Sequence, residues 1–326
     1  MLAVCLGNAD GQFASRHVPV PRPGKGEVLV KMAAAPVNPS DLARIKYLID
    51  PAERASFIPG VEGSGRVIAC GAGLVPHMWL GRRVACSSAH STSGTWAEYM
   101  VTSAMMCVPL PQGISDEQGA MLLVNPMTAL AFFDMVKRDG HKAIISTAAA
   151  SSLGRIIKML GEKHHISVIH VVRNEKQQDI LKRQGAEYVL NSSVSGFSDS
   201  LHTLSHKLEA SLVLDAVGGN LTRQLLLAVP FGSTVVVYGN LSGEQPEIDH
   251  RSLVMDNKKV MGFYLGNWLK ETGILTTVHN IFRARKLLRK GISIPVQGRF
   301  PLDKAQQAVE TYLAHMTAGK VLVIPG

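Results

Sequence analysis

Residues Thr147-Ala148-Ala149-Ala150-Ser151-Ser152-Leu153-Gly154 form a run of small side chains. The run follows the apolar stretch Lys142–Ser146 and opens a helical pattern, Leu153–Lys163. Small residues at a strand-to-helix turn let backbone N–H groups approach a pyrophosphate, whose charge the helix N-terminus favours. The glycine fingerprint of such turns survives here only as A-x-S-x-x-G, with Gly154 intact. Alone, the pattern would read better as an ordinary strand–turn–helix. A second apolar strand, Ile166–Val172, ends directly before Arg173, which completes a βαβ unit of dinucleotide-binding length. NAD sites place Asp or Glu at this point, to hold the ribose 2′-OH. Arg173 instead suits bidentate contact with a 2′-phosphate. Glu175 comes about two positions late and is followed by Lys176. The pattern therefore favours NADP(H) over NAD(H), the alternative for Arg173 being a solvated surface arginine.

Other reactive side chains form no constellation. The 12 histidines include no H-E-x-x-H or H-x-H arrangement, so no metal site is expected. Cys5, Cys70, Cys86 and Cys107 are widely spaced, without a C-x-x-C pair. That argues against a disulfide framework and a cysteine-rich zinc lobe and suits a reducing cytoplasm. Cys86 and Cys107 read as small buried apolar residues rather than nucleophiles. The net charge, 34 − 25 = +9, fits an anionic partner (a phosphorylated cofactor, an acyl-CoA, nucleic acid or a membrane surface) or simply a lysine-rich solvated surface, and charge alone does not separate these. The basic residues are dispersed, which argues against nucleic acid.

The elements that must position these residues follow from pattern. With 326 residues, 46% of them hydrophobic, the chain can bury a sizeable core. At roughly 100–200 residues per domain it should form two domains. No apolar run reaches the ~18 residues of a membrane span. The N-terminus reads as a first strand rather than a signal peptide. The first part alternates short strands and turns, as in Glu27–Ala33 and Gly65–Ala69. Ser115, with Gln118 three residues on, reads as a helix cap. Thereafter near-continuous apolar strands (Lys142–Ser146, Ile166–Val172, Leu212–Asp215, Thr234–Tyr238) alternate with helices, the signature of a parallel sheet covered on both faces. A central doubly wound α/β domain inserted in a mostly β domain is expected.

Several blocks, in order, resemble the zinc-free medium-chain dehydrogenases/reductases: Val37-Asn38-Pro39-Ser40-Asp41, Pro59–Gly65, Gly94-Thr95-Trp96-Ala97-Glu98-Tyr99, Asp215–Gly219 and Gly319-Lys320-Val321. Within that family, Asn125-Pro126-Met127-Thr128-Ala129, Val171-Val172-Arg173, Tyr238-Gly239-Asn240 and Gly262-Phe263-Tyr264-Leu265 are most similar to the 2-enoyl thioester reductase branch. The resemblance implies an α/β fold: a doubly wound parallel-sheet Rossmann domain at 118–265 and a mostly β GroES-like catalytic domain from 1–117 and 266–326. It implies a nicotinamide-ribose neighbour in Asn125, with Thr128 in the same motif. Ala149, Ala150, Ser151, Ser152 and Leu153 would lie at the pyrophosphate. Arg173 would take the 2′-phosphate of NADPH, with Asn174 and Glu175 adjacent. Tyr238, Gly239, Asn240, Leu241, Phe263, Tyr264, Leu265 and Lys320 would complete the cofactor cleft.

Asn38 and Val61 stand where zinc alcohol dehydrogenases carry Cys and His, so no metal is implied. The enoyl reductases' tyrosine, eleven residues after Asn38, is replaced by Ile49, and the nearest tyrosine is Tyr47. Tyr47 is the first candidate for proton donor and Asn38 for substrate positioning. The activity implied is NADPH-dependent hydride transfer to an activated C=C bond, a 2-enoyl thioester or enone, in a cytoplasmic homodimer without nucleic-acid or membrane partners. The alternatives are an NADPH:quinone oxidoreductase and an NADPH-binding protein with little catalysis.

Overall fold

A computed structural model describes the chain apart from residues 8–11, 48, 51–52, 54–55, 89–92 and 290–293. The chain divides into two compact units, residues 1–126 with 281–326, and residues 127–280.

The second unit is a six-stranded parallel sheet. Its strands run in the order Tyr188–Asn191, Ser167–Val172, Ala143–Ser146, Ala210–Asp215, Thr234–Val237 and Lys259–Gly262. Numbered by sequence this is 3-2-1-4-5-6, the doubly wound order with its switch point between Ala143–Ser146 and Ala210–Asp215. The strands read as unbroken apolar runs because both faces are covered. Ile145, Ile169, Val171, Val213 and Val235 pack on helices Phe197–Lys207 and Gly219–Ala228. The helix Ser152–His164 buries Leu153, Ile156, Ile157 and Leu160.

The first unit is built on antiparallel pairing. Glu27–Pro36 is central, paired with Glu62–Cys70, Tyr99–Ser103 and Lys320–Ile324. Arg83–Ser87 and Cys107–Pro109 extend one side, and Val296–Pro301 pairs parallel with Lys320–Ile324. The helix Ala305–Ala314 closes one face over Val4, Ala35, Trp96, Val321 and Val323. The predicted first strand is Leu2–Leu6.

The units part at 126 and 280, later on both sides than the expected 117 and 265. The capped helix Asp116–Ala120, which suggested the first boundary, packs on Glu27–Pro36 and Glu62–Cys70 instead. The stretch up to Asn280 belongs to the second unit, where Asn280 Nδ2 donates to Asp134 Oδ2 at 3.1 Å. Among the described residues no helix is long and apolar enough to cross a membrane.

Candidate functional site

In the second unit the turn after Ala143–Ser146 is tightly specified. Ala148 takes a left-handed conformation (φ 47°). Ser151 caps the next helix, its hydroxyl accepting from Gly154 N at 3.2 Å. This cap satisfies the Gly154 N–H and fixes where the helix begins, and a helix N-terminus is a position that favours an anion. Gly154 is obligatory: a Cβ there would sit 2.2 Å from the Ala149 carbonyl oxygen. Of the residues at the other two glycine positions, Ala149 is buried with its neighbour Ala150 among Val172, Leu181, Ala186 and Val189, and Ser151 is the cap itself. Leu153 is likewise buried and Ser152 half-buried.

Arg173 follows strand Ser167–Val172 and is exposed. Its main chain is pinned: its N–H donates to Gln177 Oε1 at 3.2 Å, and its carbonyl accepts from Ser193 Oγ at 2.7 Å. Asn174 uses its side-chain oxygen to cap the helix Glu175–Arg183, accepting from Gln177 N at 2.9 Å. Glu175 is exposed in the first turn of that helix.

A third loop is organised by Asp215, which the sequence reading did not single out. Its carboxylate accepts from Thr147 Oγ1 at 3.0 Å, Thr222 Oγ1 at 2.6 Å and Val217 N at 2.9 Å. Thr147 Oγ1 in turn accepts from Ala216 N at 2.8 Å. The turn after Ala143–Ser146 and the loop after Asp215 are therefore tied together at the sheet's switch point. A buried aspartate ending an apolar strand before Val217-Gly218-Gly219 was the available signal. Tyr238 and Leu241 donate their N–H groups to Asp215 and Ala216 carbonyls. Gly239 presses on Ala216, where a Cβ would meet the carbonyl oxygen at 2.8 Å. Rings of Tyr238 and Phe263 both pack on Phe132, centroids 5.0 and 4.8 Å apart, and burial pushes the Tyr238 phenol well above its usual range. Asn240, Leu241 and Tyr264 are exposed, Leu265 starts the long helix Leu265–Arg289, and Thr128 is buried.

In the first unit, Asn38 and Lys320 meet in a buried polar cluster, 1% and 2% exposed. The Lys320 ammonium donates to Asn38 Oδ1. Asn38 Nδ2 donates to Glu62 Oε1 at 3.1 Å. Asp41 accepts from the N–H groups of Asn38 (2.7 Å) and Val61 (2.8 Å). Burial pushes the Asp41 carboxyl up to about 7, against the pull of those two N–H donors and of Lys320. Burial also raises Glu62 and lowers Lys320, each partly offset by the other's charge. Nothing in a single sequence marks Glu62 and Asp41 as partners of Asn38. Asn125 is half-buried, directly after the N–H groups of Leu123 and Val124 that Glu62 holds.

Tyr47 does not join this cluster. It ends the helix Pro39–Tyr47 and is 58% exposed. At 1.5 Å per residue its Cα lies about 13 Å along the axis from Asn38. Ile49, at the enoyl reductases' tyrosine position, is buried against Leu6 and Phe57. The expected pairing of Tyr47 with Asn38 as one catalytic constellation is therefore not what the fold builds.

Positions 38 and 61 do not offer a pair of zinc ligands. The Asn38 oxygen faces an ammonium, and Val61 has no donor atom to offer. Among the described residues no group of three or more His, Cys, Asp or Glu is arranged to hold a metal. All four cysteines are free, and burial pushes the Cys107 thiol up to about 12.

Two family models match, an alcohol dehydrogenase GroES-like domain over residues 24–112 and a zinc-binding dehydrogenase domain over 153–280. A curated relative, the mitochondrial enoyl-[acyl-carrier-protein] reductase of Rattus norvegicus, is 29% identical over 293 residues, covering 87% of this chain and 77% of its own. A solved structure of a Mesorhizobium loti protein described as an NADPH:quinone reductase is 30% identical. It superposes with a TM-score of 0.87 over 99% of this chain and 97% of the other. A Bacillus thuringiensis protein with a similar description is 25% identical, with a TM-score of 0.86 over 99% and 98%.

Proposed function

The chain belongs to the medium-chain dehydrogenase/reductase superfamily, and on that premise we propose that it is an NADPH-dependent reductase of activated C=C bonds, with 2-enoyl thioesters as substrates. The observation that carries the cofactor is the glycine-poor turn. Ala149 and Ala150 are buried in the core, Ser151 caps the helix that the turn opens, and exposed Arg173 follows the next strand. The helix N-terminus after Ser151 would hold the pyrophosphate, and Arg173 would neutralise a 2′-phosphate. Asn38, Lys320 and Asn125 would orient the nicotinamide end. When bound, the reduced nicotinamide supplies the hydride. The relatives named as enoyl-acyl-carrier-protein reductases support the thioester.

A specific observation favours quinones as the second reading: Tyr47 is exposed and the enoyl reductases' tyrosine position holds buried Ile49, and quinone reduction has no obligate protein acid. Absence of zinc belongs to the same proposal, supported by the ammonium at Asn38. A homodimer is supported by the edge strand Lys259–Gly262 with its exposed Met261. A cytoplasmic setting is supported by four free thiols.

The test is separate titration with NADPH and NADH, then turnover of crotonyl-CoA, 2-hexenal and 1,4-benzoquinone followed by nicotinamide absorbance. NADPH-dependent reduction of crotonyl-CoA supports the thioester reading. Turnover of quinone alone moves the assignment to the quinone. Tight NADPH binding with no turnover across the panel leaves a cofactor-binding protein, and binding of neither nucleotide rejects both enzyme readings.

A further inference from the structure

Glu62 sits where three segments distant in sequence meet. Its side chain is buried, and both oxygens are engaged. Oε1 accepts from Asn38 Nδ2 at 3.1 Å. Oε2 accepts the N–H groups of Leu123 and Val124 at 3.0 and 2.8 Å, at the start of the helix that carries Asn125. A carboxylate only accepts, whereas an amide has one accepting and one donating end. Glu62 therefore selects the Asn38 orientation with Nδ2 toward itself, which turns Oδ1 toward the Lys320 ammonium. The opposite orientation would set carbonyl against carboxylate and NH2 against ammonium, two buried mismatches at once.

We propose that Glu62 is a positioning residue, which locks the Asn38 amide, the Lys320 ammonium and the Asn125 segment into one block. The inference rests on the NADPH reading above, since Asn125 and Lys320 are the residues assigned there to the nicotinamide end. It adds a residue that neither reading included, and it predicts a reciprocal change that repairs its loss.

The experiment compares the wild type with Glu62→Gln, Asn38→Asp and the double variant, by NADPH affinity, kcat and KM with 1,4-benzoquinone, and Tm. Glu62→Gln keeps shape and can keep one acceptor on Leu123 and Val124, but it then presents NH2 to the NH2 of Asn38. Asn38→Asp alone sets two carboxylates face to face. In the double variant the carboxylate has moved to position 38, where it accepts from the amide at position 62 and from the Lys320 ammonium, with the net charge of the wild type. Each single variant is expected to weaken NADPH binding and lower kcat/KM by on the order of tenfold or more. The double variant should return to within about threefold of wild type.

A Glu62→Gln protein with wild-type affinity and turnover overturns the proposal. So does a double variant with wild-type Tm that stays as defective as the singles. Should Glu62→Gln fail to fold, Asn38→Asp against the double variant decides. Recovery supports the pairing, and equal damage rejects it. Wild-type protein that binds no NADPH would sink the cofactor reading instead, and the Tm cycle would still read the Glu62–Asn38 coupling.

Discussion

At the scale of single residues, type and placement carry different information. Arg173 is informative by type alone, because a planar cation at the end of the second βαβ strand selects a phosphate over a hydroxyl. The fold leaves it exposed, with its backbone held by Gln177 and Ser193. Arg173→Ala should weaken NADPH binding by about 10- to 100-fold, the worth of one charge-assisted contact, and leave NADH binding within about twofold. Fluorescence titration of both nucleotides checks it, and an equal loss for both would remove the 2′-phosphate role. Asn38 shows the reverse. The amide was legible as a candidate for positioning a substrate, yet its immediate partners, Glu62 and Lys320, lie 24 and 282 residues away. No local pattern encodes such pairings.

At the scale of elements, short-range signals translated well. The Ser115–Gln118 cap forms as a full capping box, with both reciprocal hydrogen bonds at 3.2 Å. The one surviving glycine of the turn is the one that helix packing demands. Gly154→Ala forces a Cβ to within 2.2 Å of a backbone oxygen, which no rotamer change relieves. We expect a loss of about 1–3 kcal/mol in denaturant unfolding, with weakened NADPH binding because the turn must shift. An unchanged midpoint and affinity would mean that the helix can slide freely. Tyr47 illustrates an element overriding a residue. Nine helical residues carry it away from Asn38, however close the two are in sequence.

At the scale of the whole molecule, buried titratable groups set the response of stability to pH. His170 lies in the central sheet, 3% exposed, with Nδ1 lacking any hydrogen-bond partner. Burial, reinforced by the Lys158 charge against a smaller opposite pull from Glu162, pushes its pKa down to about 4. The unfolded chain binds this proton near pH 6.5, so the folded state is disfavoured progressively below that value. The stability present above about pH 6.5 should fall by at most about 3 kcal/mol as the pH drops toward 4. His170→Phe should flatten that part of the pH–stability curve in urea unfolding. A slope that survives the substitution would assign it to other groups. Asp41, raised to about 7, works in the opposite direction between about pH 4 and 7, so the two slopes are best separated by variants.

The chain's own order determined the doubly wound domain, the β domain around it and the cofactor turn, because each rests on local periodicity or on residues within one βαβ unit. Ala143–Ser146, Ser167–Val172 and Arg173 are close in sequence, so their juxtaposition needs no long-range information. Tertiary structure alone decided the rest. It buried Ala149 and Ala150 in the core, tied Thr147 to Asp215 across the switch point, and gathered Asn38, Asp41, Glu62 and Lys320 into one buried cluster. It also sent Tyr47 to solvent and Ile49 inward. Burial is what gives these polar groups their orientation and shifted protonation, and burial depends on which distant segments pack together.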